Sequence, residues 1–104
     1  MKNLKEKIYS NLLKVPYGKV ISYKKLGEIS GTKGYRFVGS YMKNNEFPDK
    51  IPCYKVVCSD GNVGNYSGRG GVKKKIELLE KDGIKVVDGK VDLRKFGLDF
   101  LGYE

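Results

Sequence analysis

Apolar residues recur at helical spacing from the start of the chain. Leu4, Ile8, Leu12 and Val15 fall on one face with lysine and glutamate on the other, which predicts an amphipathic helix over residues 3–15. Pro16-Tyr17-Gly18 ends it, because Pro16 disfavours helix at the residue before it and Gly18 supplies a turn. Val20 and Ile21 suit a short strand, and Ser22 fits the N-cap of a second helix over 23–29 that closes at Ser30-Gly31. A third helix is expected from Thr32 or Lys33 to about Asn44, with Val38, Tyr41 and Met42 inward and Arg36, Ser40 and Lys43 along another face. Two short helices joined by a Gly-containing turn make a helix-turn-helix pattern over about 22–44.

The pattern then changes period. Tyr54 to Cys58 is an apolar, β-branched run closed by Ser59-Asp60-Gly61, which reads as one short strand ending in a turn. Residues 62–71 form a loop rich in Gly, Asn and Ser. A fourth helix follows from Gly71 or Val72 to Lys81, with Val72, Ile76 and Leu79 on one face and Lys73, Lys74 and Lys75 at its exposed start. Lysines there oppose the helix dipole, which suits either plain solvation or contact with a phosphate backbone. Residues 84–87 and 90–93 flank the two-residue turn Asp88-Gly89, an antiparallel hairpin. A tail with Phe96, Leu98, Phe100 and Leu101 is expected to pack back on the core. The fold class is therefore α/β, mainly α: one winged-helix-like domain over 1–104 with a small C-terminal β-hairpin wing.

Charge adds a partner class. Twenty-one Lys and Arg against twelve Asp and Glu leave +9 on 104 residues, which favours nucleic acid first and an anionic membrane surface second. No apolar run approaches the ~20 residues of a membrane span and no signal-peptide arrangement is visible, so an intracellular protein, cytoplasmic or nucleoid-associated, is expected. Cys53 and Cys58 are the only cysteines; on a regular strand they would face opposite sides, so free thiols are expected. With no histidine in the chain and no carboxylate cluster at ligand spacing, neither a metal nor another cofactor is expected.

Chemistry concentrates between Ile51 and Gly68, which read I-P-C-Y-K-V-V-C-S-D-G-N-V-G-N-Y-S-G. Pro52 fixes a stiff corner before Cys53, and a sulfur held at the mouth of a strand is a candidate nucleophile. The segment resembles the active-site segment of the O6-alkylguanine-DNA alkyltransferases, where Pro-Cys-His-Arg-Val precedes a Gly-Asn-Tyr-Ser-Gly loop. Cys53 falls on the alkyl-accepting cysteine, whereas the family's histidine is Tyr54 here. Val20 to Tyr23 and Gly34 to Gly39 resemble that family's DNA-binding element, and residues 88–93 resemble its short alkyltransferase-like members.

The resemblance implies a domain that binds duplex DNA, extrudes O6-alkylguanine and takes the alkyl group irreversibly onto Cys53. It implies catalytic positions at Cys53, Tyr54, Asn45 and Asp82, with Glu80 the alternative carboxylate. It places Arg36 as the intercalating arginine and Tyr23 against the target phosphate, while Tyr66 and Ser67 wall the base pocket above Val56 and Val57, with the Val56 carbonyl offered to the base edge. Tyr54 cannot serve as a base near neutral pH, given an ordinary pKa of about 10, so the histidine relay is broken or rewired; Lys55 is a candidate compensating charge. Tyr35, Phe37 and Tyr41 are bulky where the family places small residues, so they either face the core or act as wedges. A second reading is a non-catalytic sensor that binds the lesion and recruits other repair proteins. A third is a helix-turn-helix regulator reading undamaged sequence through Arg36, Ser40 and Lys43. All three expect a monomer on double-stranded DNA.

Overall fold

The computed structural model describes residues 3–32, 35–47, 50–64 and 70–98, and of Tyr35 the backbone alone. Helix α1 (Leu4–Leu13) is capped by Asn3, whose Oδ1 accepts from the Glu6 amide at 2.9 Å. Strand β1 (Ile21–Ser22) runs straight into α2 (Tyr23–Ile29), because Ser22 ends the strand and caps the helix, its Oγ accepting from the Lys25 amide at 3.0 Å. Helix α3 (Tyr35–Lys43) completes the helix-turn-helix. Strand β2 (Val56–Val57) precedes α4 (Gly71–Lys81), the hairpin of β3 (Val86–Val87) and β4 (Lys90–Val91), and α5 (Leu93–Phe96).

The core is split by the parallel pair β1–β2, in register Ile21 to Val56 and Ser22 to Val57. Strand side chains alternate, so the layer feeds both sides at once. Ile21 and Val56 join Ile8, Leu12, Leu26, Val38 and Met42 in a cluster under α1, α2 and α3. Val20 and Val57 join Val63, Leu79, Ile84, Val91 and Leu93 in a second cluster under α4 and the hairpin. The wing is tied in by backbone: Val91 N donates to Gly61 O at 2.8 Å and Val63 N to Gly89 O at 2.9 Å. Gly61 sits at φ +92°, where a Cβ would run into the Val91 carbonyl. Gly61→Ala is expected to lower stability by about 2 kcal/mol in urea denaturation, since strain and steric conflict coincide there.

Four expectations are corrected. The strand expected over 54–58 is only Val56–Val57, because Pro52 leads into a 3-10 turn over Cys53–Lys55, with Lys55 N donating to Pro52 O at 3.0 Å. Regular alternation therefore does not govern Cys53 against Cys58; both are nevertheless free thiols, the first buried and the second half-buried. Helix α4 is rotated from its expected facing: Val72 is exposed, while Lys75 and Leu79 are buried. Leu93 belongs to α5 rather than to the wing, because Asp92 caps that turn, its Oδ1 accepting from the Arg94 amide at 3.0 Å. Leu98 packs in the core as expected and Phe96 is half-buried. Phe100 and Leu101 lie outside the described residues.

Candidate active site and nucleic-acid interface

Cys53 is 4% exposed and enters the first cluster from the 3-10 turn, its amide donating to Ile51 O at 2.7 Å. Asn45 steadies the approach to this turn: its Nδ2 donates to Ile51 O at 2.9 Å and its Oδ1 accepts from the Phe47 amide at 2.9 Å. The thiol is thus presented by a doubly pinned backbone.

Tyr54 turns away from a base's role and donates its hydroxyl to Asp82 Oδ2 at 3.0 Å. Between the two candidate carboxylates, Asp82 is the one that meets the cysteine turn, while Glu80 is exposed. Lys55, 7% exposed, places its Nζ 3.4 Å from the same Asp82 oxygen and donates to the carbonyls of Val15 and Pro16, each at 3.2 Å. Its charge is directed to Asp82 and to the two carbonyls that follow α1.

A second buried ammonium is that of Lys75, read from sequence as an exposed helix-start lysine. It is fully buried, donates to Val56 O at 2.7 Å and lies 5.8 Å from the Tyr23 ring centroid. Burial pulls its pKa down to about 8, against the opposing pull of Cys53 and Cys58, which favour its charged form. Burial also pushes the Tyr23 hydroxyl up to about 12, with Cys58 and Cys53 adding to the shift. Tyr9 of α1 is raised too, by burial first and then by Cys53. Four segments thus bring two thiols, two phenols and an ammonium within electrostatic range of one another, with Cys53 and Lys75 buried and Tyr9, Tyr23 and Cys58 half-buried. The Val56 carbonyl assigned to a base edge already accepts from Lys75, and Val56 and Val57 are both fully buried beneath the site. Tyr66 and Ser67 lie outside the described residues, although Gly64 brings the start of their loop close: a Cβ there would lie 3.4 Å from Cys58 Sγ and 3.7 Å from the Tyr23 hydroxyl.

On α3, Val38 and Met42 are buried and Arg36, Ser40 and Lys43 are exposed, so the basic face is turned outward. Tyr41 is half-buried and packs against the first cluster, its carbonyl accepting from Tyr9 Oη at 2.9 Å, whereas Phe37 is 55% exposed. Lys75 and Tyr9 are the site residues that sequence reasoning missed. The one signal for Lys75 was its place four residues before Leu79, on the same helical face.

A helix-turn-helix with an outward basic face, joined to a buried cysteine on a Pro-Cys turn, defines a nucleic-acid-binding domain built around a thiol. Its pattern over residues 3–84 is that of the 6-O-methylguanine DNA methyltransferase DNA binding domain, and the chain belongs to that family. It is 39% identical over 90 residues to a bifunctional methyltransferase/endonuclease of Picrophilus torridus, covering 86% of this chain and 30% of that protein. With the methylated-DNA-protein-cysteine methyltransferase of Homo sapiens it shares 48% identity over 77 residues, 72% of this chain and 36% of that protein. The chain thus spans about a third of the length of these relatives. In fold it is similar to S. pombe Atl1 in complex with damaged DNA containing O6-carboxymethylguanine, with a TM-score of 0.82 at 24% identity over 93% of this chain and 97% of that one.

Proposed function

We propose that this domain is a monomeric, intracellular DNA-repair protein that binds duplex DNA and accepts the alkyl group of O6-alkylguanine on Cys53. The observation that carries the reading is the buried Cys53 on its pinned Pro-Cys turn, behind the outward basic face of α3 and with the buried Lys75 ammonium within electrostatic range. The thiolate is the nucleophile in such a transfer, and a sulfur on a pinned turn can be held in line with the alkyl carbon. Cys53 Sγ would attack the alkyl carbon as the bond from that carbon to the guanine oxygen breaks, and the departing base would take up a proton to leave guanine. Cys53 would then hold a thioether, ending the protein's one turnover. The target must first leave the duplex, a task for exposed Arg36 on α3, whose planar guanidinium can fill the vacancy.

The test is the peptide mass after incubation with an oligonucleotide containing O6-methylguanine. A gain of one methyl on Cys53, absent from Cys53→Ala, is expected; an unmodified Cys53 after many hours would sink the transfer reading. A second reading, a sensor that binds the lesion without chemistry, is favoured by one observation: the residue after Cys53 is a tyrosine whose hydroxyl is committed as a donor to Asp82. Tight lesion binding with no mass gain would select it, and strong preference among undamaged sequences would select a regulator instead.

A further inference from the structure

The wing carries a feature that alkyl transfer does not use. Val91 of the hairpin is buried, and strand alternation therefore turns Lys85, Val87, Lys90 and Asp92 to the outer face. Together with Asp60 and with Lys95 and Phe96 of α5, that face encloses a hollow of about 400 Å³. Its two carboxylates are engaged locally: Asp60 Oδ1 accepts from the Asn62 amide at 2.9 Å, and Asp92 Oδ1 from the Arg94 amide at 3.0 Å. Among the described residues, none of Lys85, Lys90 and Lys95 has a carboxylate within ion-pair range. Lys95 lies 5.4 Å from the Phe96 ring centroid, and Val87 is 54% exposed at the rim. Three lysines and two aspartates thus surround the apolar surface of Val87 and Phe96, an excess of one positive charge.

We propose that this hollow docks an acidic peptide segment of a partner protein, with carboxylates on Lys85, Lys90 and Lys95 and one apolar side chain laid over Val87 and Phe96. The excess of lysine over aspartate, with none of these lysines in an ion pair among the described residues, favours an anionic partner, and the exposed Val87 beside Phe96 favours a peptide over a purely charged chain. A phosphodiester chain has no apolar side chain to cover Val87. The location agrees: the hairpin packs on the second cluster and α3 on the first, so the β1–β2 layer separates the hollow from the basic helix face. Peptide and DNA could be held together. The proposal stands whether or not Cys53 accepts an alkyl group.

The probe is the peptide acetyl-Glu-Glu-Asp-Leu-Phe-Asp-Glu-Glu-amide, titrated into the ¹⁵N-labelled full chain at physiological ionic strength. Saturable amide shifts are expected at Lys85, Val87, Lys90 and Lys95, with α3 unmoved. Affinity should fall at least about tenfold in K85E/K90E and about threefold in V87S, the losses expected for charge reversal and for a lost apolar contact. Circular dichroism checks that these exposed-face variants stay folded, and the shift map of the unaltered chain stands independently of them. Absence of saturable shifts, shifts spread over α3, equal binding by the peptide with Ser-Ser in place of Leu-Phe, or displacement by an unmodified DNA duplex would each overturn the proposal. The last outcome would make DNA the occupant of the wing.

Discussion

Lys75→Met is expected to slow alkylation of Cys53 several-fold at pH 7, because it removes a buried positive charge within electrostatic range of the reacting sulfur, while leaving the protein at least as stable in urea. The two effects separate because the lysine is strained by burial. Its pKa is lowered from 10.5 to about 8, so keeping it charged in the folded state at neutral pH costs about 3 kcal/mol. Methionine removes that cost and forfeits the 2.7 Å bond to Val56 O, a charged hydrogen bond worth about 2 kcal/mol. The pH dependence follows with a definite sign. Between pH about 8 and 10.5 the unfolded chain holds the Lys75 proton and the folded chain has released it, so wild-type stability should climb across that window. Tyr23 acts oppositely: its pKa rises from 10.0 to about 12, so its contribution is complete below pH 10 and is lost as pH passes 12. Urea midpoints between pH 8 and 9.5 therefore isolate the lysine, and Lys75→Met should remove the climb. Equal alkylation rates in the two proteins would show that the ammonium does not serve the thiol.

Asp82→Ala is expected to lower stability by about 3 kcal/mol, the usual loss when one member of a buried ion pair is removed. It strands Lys55, 7% exposed, with only the Val15 and Pro16 carbonyls, and it takes the acceptor from the Tyr54 hydroxyl. Tyr54→Phe removes only a neutral donor and should cost about 1 kcal/mol. The decisive comparison is Asp82→Ala in a Lys55→Met background, where most of the loss should vanish because no buried charge is left unpaired. If urea unfolding gives the same loss in both backgrounds, Lys55 and Asp82 do not act as a pair.

Legibility from sequence followed the range of the interaction. The ends of α2, with Ser22 as cap and the Ser30-Gly31 stop, are written within a few residues and were readable. The outward face of α3, with Arg36, Ser40 and Lys43 opposite Val38 and Met42, follows from helical period alone. The cysteine turn was misread as strand because β-branched composition does not reveal that Pro52 starts a 3-10 turn; Val56 and Val57 become strand only by pairing with Ile21 and Ser22, 35 residues away. The Tyr54 bond to Asp82 links residues 28 apart, and no local pattern announces it.

By itself the sequence determined a small basic domain, its helix-turn-helix and a Pro-Cys corner beside a glycine-rich loop, because each rests on local backbone preference or on charge that any fold must display. Tertiary structure decided which lysine is buried. Lys73, Lys74 and Lys75 are chemically alike, yet the rotation of α4 against β2 exposes the first and turns the third onto the Val56 carbonyl, where desolvation and two thiols change its chemistry. That rotation is set by how Leu79 fills the second cluster, a packing requirement summed over distant residues, and so it is absent from any short stretch of the chain.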